Sequence, residues 1–259
     1  MKKPKWVVEK ERAKRAAATE TVWLFGLHAV RDALMNPRRE KLRLILTKNA
    51  ETRLEEAVAA GGIAPELSDA RSFAAPLDPE SVHQGAALEV RPLDWGSLDE
   101  IVTGAEPPLR LVLLDRVSDP RNVGAILRSA EVFGAAAVIG VRRHAAPETG
   151  ALAKTASGAL ERQPYLRVQN LAATMGRLRE MGIDLLGLDG DGEQSLAEAM
   201  SSRRNVPVAL VLGAEGAGLR QRTREMCDVV ARIPATGGFG SLNVSNAAAV
   251  ALYEARRGT

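Results

Sequence analysis

The feature that most constrains this chain is a series of short, almost wholly apolar runs set between helical patterns through its second half. Residues 111–114, 136–141, 185–188, 208–212 and 229–233 read as strands, and 122–133, 171–181 and about 243–257 as helices. A strand wetted on one face alternates apolar and polar residues, whereas one buried on both faces is apolar throughout. Runs of the second kind separated by helices predict an α/β fold, with a parallel sheet covered on both sides. Ahead of it, residues 21–92 predict a small α/β unit: helix 28–34, strand 42–46, helix 53–60, then strands at 63–67 and 86–90. Residues 93–108, with Gly96, Gly104, Pro107 and Pro108, read as a linker with room for one helical turn, and 109–259 as the larger domain. A chain of 259 residues with 46% apolar content can bury such a core.

Several function classes drop out. Cys227 is the single cysteine, which excludes a disulfide framework and a thiolate zinc cluster and fits a reducing cytoplasm. His28, His83 and His144 lack metal-ligand spacing, so no metal is expected. The longest apolar run, 135–141, is far short of the roughly 20 residues of a membrane helix. The N-terminus has no apolar export segment, and Glu9, Glu11 and Glu20 argue against a transit peptide, so a cytoplasmic location is expected. Residues 1–15 carry seven basic side chains against Glu9 and Glu11, in a chain of net charge +3. Residues 1–20 therefore read as a basic flexible tail, either drawn to a polyanion such as nucleic acid or merely solubilising.

Ligands of parallel sheets bind beyond the carboxyl ends of the strands, and three clusters fall there. After strand 111–114 come Asn122 and Arg128. Asn122 reads either as a helix cap or as a site residue, and Arg128 as a surface residue or as a cation aimed into a site, since Ile126, Leu127, Ala130, Val132 and Phe133 make its helix apolar over much of its girth. After strand 208–212, Glu215 stands among Gly213, Gly216 and Gly218. Their order, G-x-x-G-x-G, departs from the dinucleotide fingerprint G-x-G-x-x-G. After strand 229–233, Pro234, Gly237, Gly238 and Gly240 free the backbone for close ligand approach, and Ser241, Asn243, Ser245 and Asn246 follow where a helix begins. One cap needs one such side chain; four suggest a site.

Together these clusters resemble the SpoU/TrmH family of RNA ribose 2′-O-methyltransferases, of the SPOUT superfamily. Asn122 and Arg128 match its first motif, Leu212 to Gly216 with Gly218-Leu219 its second, and Ile233-Pro234 with Ser241 to Ser245 and Ala247 to Ala249 its third; Ala153 to Ala159 resembles its segment after the second strand. The similarity covers about residues 110–257. A weaker one over Phe25 to Val30 and His83-Gln84-Gly85 resembles the RNA-binding domain of the branch that methylates a guanosine of 23S ribosomal RNA. The third motif departs from many relatives, with Ala235 and a run of glycines where they carry Met and fewer glycines.

The resemblance implies S-adenosylmethionine as methyl donor, held by Gly213, Ile233 and Leu242 in a deep trefoil knot. It also implies a homodimer with a composite active site, in which Asn122, Arg128, Glu215, Ser241 and Asn243 match the catalytic and substrate-positioning residues. A ribose hydroxyl is a poor nucleophile at neutral pH and calls for a base. The matching motifs hold no histidine, which leaves Glu215 and Arg128. A guanidinium is ordinarily no base, and an equally physical role for Arg128 is to bind phosphate and stabilise oxyanion charge. With 3% aromatic residues, the chain is expected to grip RNA through shape and phosphates more than through stacked bases. Three rival readings remain: a ribose methyltransferase of transfer RNA, a nicotinamide-dependent oxidoreductase, and a non-catalytic RNA-binding protein.

Overall fold

The structure, a computed structural model, describes residues 21–78, 80–236 and 242–257. The chain divides into two units, residues 1–94 with 148–154, and 95–147 with 155–259. The basic tail expected over residues 1–20 lies outside the described residues.

The first unit runs β1 (Val22–Phe25), α1 (Leu27–Met35), β2 (Lys41–Leu46), α2 (Lys48–Arg53), α3 (Glu55–Gly61), β3 (Pro65–Leu67) and β4 (Ala86–Val90). Its sheet has the order β1-β4-β2-β3; β4 is antiparallel to β1 and β2, and β3 is parallel to β2. The helix expected over 53–60 is α3, and a further short helix, α2, stands just ahead of it. Thr47 caps α2 by accepting from the Ala50 amide, and the helical path breaks at Leu54, whose side chain is buried. Periodicity alone cannot place such a break, because Leu54 suits the apolar face of either helix. The segment 148–154 belongs to this unit, where the buried Glu148 meets the buried Arg39 at 3.4 Å and Arg39 also donates to the Arg91 carbonyl.

The second unit opens with α4 (Leu98–Gly104), then β5 (Arg110–Asp115), α5 (Pro120–Val132) and β6 (Ala137–Val141); after α6 (Gly150–Ala156), whose residues 150–154 group with the first unit, it resumes with β7 (Tyr165–Val168) and α7 (Leu171–Glu180). It continues through β8 (Asp184–Leu188), β9 (Gln194–Ser195), α8 (Leu196–Ser201), β10 (Val208–Gly213), α9 (Gln221–Glu225), β11 (Val229–Arg232) and α10 (Val244–Arg256). Among the described residues its strands form one sheet in the order β7-β6-β5-β10-β8-β11-β9, parallel at every pairing. The apolar runs are buried as their composition requires: all of β5 and β6 lies inside, and Leu111, Leu113, Ile139, Leu185 and Val211 pack against Met175 and Leu178 of α7.

The stretch expected to be a linker holds the two-turn helix α4. Ser97 accepts from the Glu100 amide while the Glu100 carboxylate reaches back to the Ser97 amide, a capping box that the surrounding glycines and prolines obscured. Helix α8 carries a second such box, Ser195 with Glu198, and was not expected either. Strand β7 escaped because Arg167 interrupts a run of only four residues. No described helix is long and apolar enough to cross a membrane.

Candidate active site

Helix α5 starts from Asp119, whose side chain accepts from the Arg121 amide, with Pro120 in the first turn. Asn122 is therefore not the cap. It is buried within the first turn, and its side chain reaches across the sheet edge to the loop after β10, where Nδ2 donates to Glu215 Oε1 at 3.1 Å. That loop turns tightly: Gly216 and Gly218 take φ values of +75° and +63°, and Ala214 bridges to Gly218. Asn243 closes the cluster. Its Oδ1 caps α10 by accepting from the Ser245 amide at 2.9 Å, while its Nδ2 donates to Asn122 Oδ1 at 3.0 Å and to Glu215 Oε1. Asn243 thus both caps α10 and joins the candidate cluster.

A helix turn, a loop and a helix cap meet because parallel strands deliver the segments that follow them to one edge of the sheet. Two amides hold Oε1 of Glu215, so the carboxylate is fixed in orientation with Oε2 as its remaining acceptor. Asp115, at the end of β5, anchors the far side of the same loop. Its buried carboxylate pairs with the Arg220 guanidinium at 2.7 Å and accepts from the Arg220 amide at 3.2 Å.

Beside the cluster lies a cavity of about 420 Å³ whose lining includes Gly213, Ile233, Leu242, Leu188, Asp189 and Glu215. The three residues matched to donor binding thus share one cavity. Gly213 is required for steric reasons, since a Cβ there would lie 2.0 Å from the Gly218 carbonyl carbon. Asp189 and Asp191 also line it and give it a negative wall, part-balanced by Arg224, which meets Asp189 Oδ2 at 3.2 Å. Neither aspartate was singled out from the sequence, although both fall within three residues of the end of the run 185–188, where the strand-end rule points.

Arg128 is not part of the cluster. Six residues on from Asn122 it lies about 9 Å along the helix and some 240° around it. It is exposed, with no hydrogen bond or ion pair among the described residues. Helix α5 is apolar over less of its girth than expected: its buried face is Val123, Ile126, Leu127 and Ala130, while Val132 is 70% exposed. Ser241, Gly237, Gly238 and Gly240 lie outside the described residues. Among the described residues, no group of His, Cys, Asp and Glu is arranged to hold a metal.

Fold and site together define an α/β protein whose parallel sheet carries a glycine-walled cavity at its strand ends. More particularly, the chain belongs to the SpoU rRNA Methylase family, which matches residues 109–253, while residues 23–95 match the RNA 2′-O ribose methyltransferase substrate-binding family. It is 38% identical over 240 residues to the 23S rRNA (guanosine-2′-O-)-methyltransferase RlmB of Pseudomonas putida, covering 90% of this chain and 95% of that one. To the enzyme of the same name from Vibrio cholerae it is 39% identical over 242 residues, covering 90% and 96%. The SpoU methyltransferase AviRb of Streptomyces viridochromogenes, solved in complex with AdoMet, superposes with a TM-score of 0.77 at 27% identity, over 95% of this chain and 92% of that one.

Proposed function

We propose that this protein transfers a methyl group from S-adenosylmethionine to the ribose 2′-hydroxyl of a guanosine in 23S ribosomal RNA. The observation that carries the reading is the hydrogen-bonded cluster of Asn122, Glu215 and Asn243 at the edge of the cavity walled by Gly213. Similarity to the two RlmB enzymes over nearly their whole lengths supports the substrate, because it spans both the methylase and the substrate-binding regions. Transfer RNA is disfavoured on the same ground.

The pocket fits the donor in three respects. Its volume suits a ligand of that size, within the roughly 300–1,000 Å³ usual for such sites. The missing side chain at Gly213 lets a ligand lie against backbone, and the carboxylates of Asp189, Asp191 and Glu215 suit a cation. Gly213, Ile233 and Leu242 would hold it, and once bound it supplies a methyl already activated on sulfur. Asn122 and Asn243 hold Glu215 so that Oε2 takes the proton of the ribose hydroxyl. Ser241 helps to position that hydroxyl, and Arg128 binds target phosphate and offsets the developing negative charge.

Arg128 serves this site from a second copy of the chain, so that a homodimer builds a composite centre. Its exposure supports this, as does the apolar surface on the packed pair α5 and α10, where Val132, Val250 and Tyr253 are exposed and Tyr253 meets Phe133 edge-on at 6.1 Å. The close backbone crossings at Gly213 and at Gly192 against Ala231 are in keeping with a trefoil knot. The first unit binds RNA, the basic tail adds to its hold, and the work is done in the cytoplasm. Ribose methylation mapped across total RNA of cells lacking the protein will have lost one guanosine mark in 23S RNA; loss confined to transfer RNA would redirect the assignment.

A further inference from the structure

Two short sequence stretches that the methyl transfer leaves without a task, Gly26-Leu27-His28 and His83-Gln84-Gly85, come together at one end of the first unit. The Leu27 amide donates to Gln84 Oε1 at 3.2 Å, and the Thr47 amide to the Gly85 carbonyl at 2.8 Å. The loop is drawn tight to make these bonds. Gln84 is left-handed at φ +53°, and at Gly85, with φ +78°, a Cβ would lie 2.2 Å from Thr47 Oγ1. A left-handed residue other than glycine costs conformational energy and persists where the surroundings fix it, often at ligand sites.

What the strained loop presents is a ring of defined tautomer beside a cleft that mixes polar side chains with the apolar Leu67 and Ala70. The Gly85 amide donates to His83 Nδ1 at 3.1 Å, so the neutral imidazole carries its proton on Nε2. His83 also stacks on Phe73, ring centres 4.1 Å apart and planes 12° from parallel. The cleft measures about 680 Å³, and its lining includes Lys48, Asn49, Asp69, His83 and Gln84. Asp69 would repel a lone phosphate. A nucleobase edge offers donors and acceptors together and has a face to stack, which is how proteins read unpaired RNA.

We propose that this cleft receives one unpaired nucleotide of the RNA substrate, with His83 as the stacking and donor group and Asn49 and Asp69 reading the base edge. The proposal rests on the RNA-methyltransferase reading for its ligand, and it identifies within the first unit the place where sequence is read. It also modifies the expectation that stacking plays little part in RNA binding here.

The test uses the full-length protein, a protein-free transcript of 23S RNA, and a fully paired RNA as competitor. His83→Ala and Asn49→Ala should each weaken binding of the transcript by roughly fivefold or more, as loss of a base contact does. Affinity for S-adenosylhomocysteine and for the paired competitor should stay unchanged. The exposed Asn49 side chain makes no hydrogen bond among the described residues, so its variant decides the matter should His83→Ala misfold. Transcript affinity within about twofold of wild type for Asn49→Ala and for any folded His83→Ala would overturn the proposal. Because the binding readout needs no methyl donor, RNA held through this cleft by a protein that methylates nothing would sink the enzymatic reading and leave the cleft standing.

Discussion

Single side chains carry two consequences. Glu215 is fixed by two amides through one oxygen and retains the other as acceptor. Glu215→Gln keeps the shape and removes the base, so kcat should fall by about 10²- to 10⁴-fold with KM for RNA little changed, as measured in single-turnover methylation. Equal losses in binding and turnover would make Glu215 a substrate anchor instead. Cys227 reports on the core. Burial, with Asp228 adding to it, pushes its thiol up from the ordinary 9.0 to about 12. The folded thiol therefore stays neutral where an unfolded one ionises. The stability it contributes is complete below pH 9 and lost as pH climbs from 9 toward 12. Iodoacetamide at pH 8.5 should accordingly modify the native protein more than about tenfold more slowly than the unfolded chain. Equal rates would show the thiol to be accessible and ordinary.

Among the elements, the turn after β10 is the most demanding. Adding a methyl at Gly213 drives it into backbone at 2.0 Å, where no side chain can swing away. Gly213→Ala should thus cost about 1–3 kcal/mol in thermal or denaturant unfolding. Binding of S-adenosylhomocysteine should weaken at least about tenfold by calorimetry. Unaltered affinity would remove Gly213 from the pocket wall. At this scale the sequence was legible where a run was apolar throughout, as in β5, β8 and β10. It was opaque where one residue broke the pattern, as Arg167 does in β7, and where the pattern ran on through a break in the backbone, as at Leu54 between α2 and α3. Helix α4 was readable in principle from Ser97 and Glu100, but prolines and glycines on either side suggested a linker.

At the level of the whole molecule the decisive issue is whether one chain makes a site. Arg128 faces away from the Asn122 cluster within its own chain, so a composite centre requires a second copy. Mixing Arg128→Ala with Glu215→Gln tests this directly. If each site takes its arginine from the partner, a mixed dimer holds one intact site and activity returns from two inactive proteins, toward about a quarter of wild type with random pairing. If both residues serve one chain, no activity returns. Sedimentation of the separate variants should show dimers throughout.

The sequence by itself determined the parallel α/β class, the extent of most strands and helices, and the three strand-end segments that carry Asn122, Glu215 and Asn243. These follow from local periodicity and from the rule that chemistry gathers at strand ends, both properties of contiguous residues. Only the tertiary structure decided that β10 lies between β5 and β8, that two amides share a single carboxylate oxygen, and that Asp189 faces the same cavity as Gly213. It alone brought Thr47 against Gly85 and left Arg128 exposed. Strand order and side-chain convergence come from packing between residues distant along the chain, and local pattern carries no record of which distant partner fills a given space.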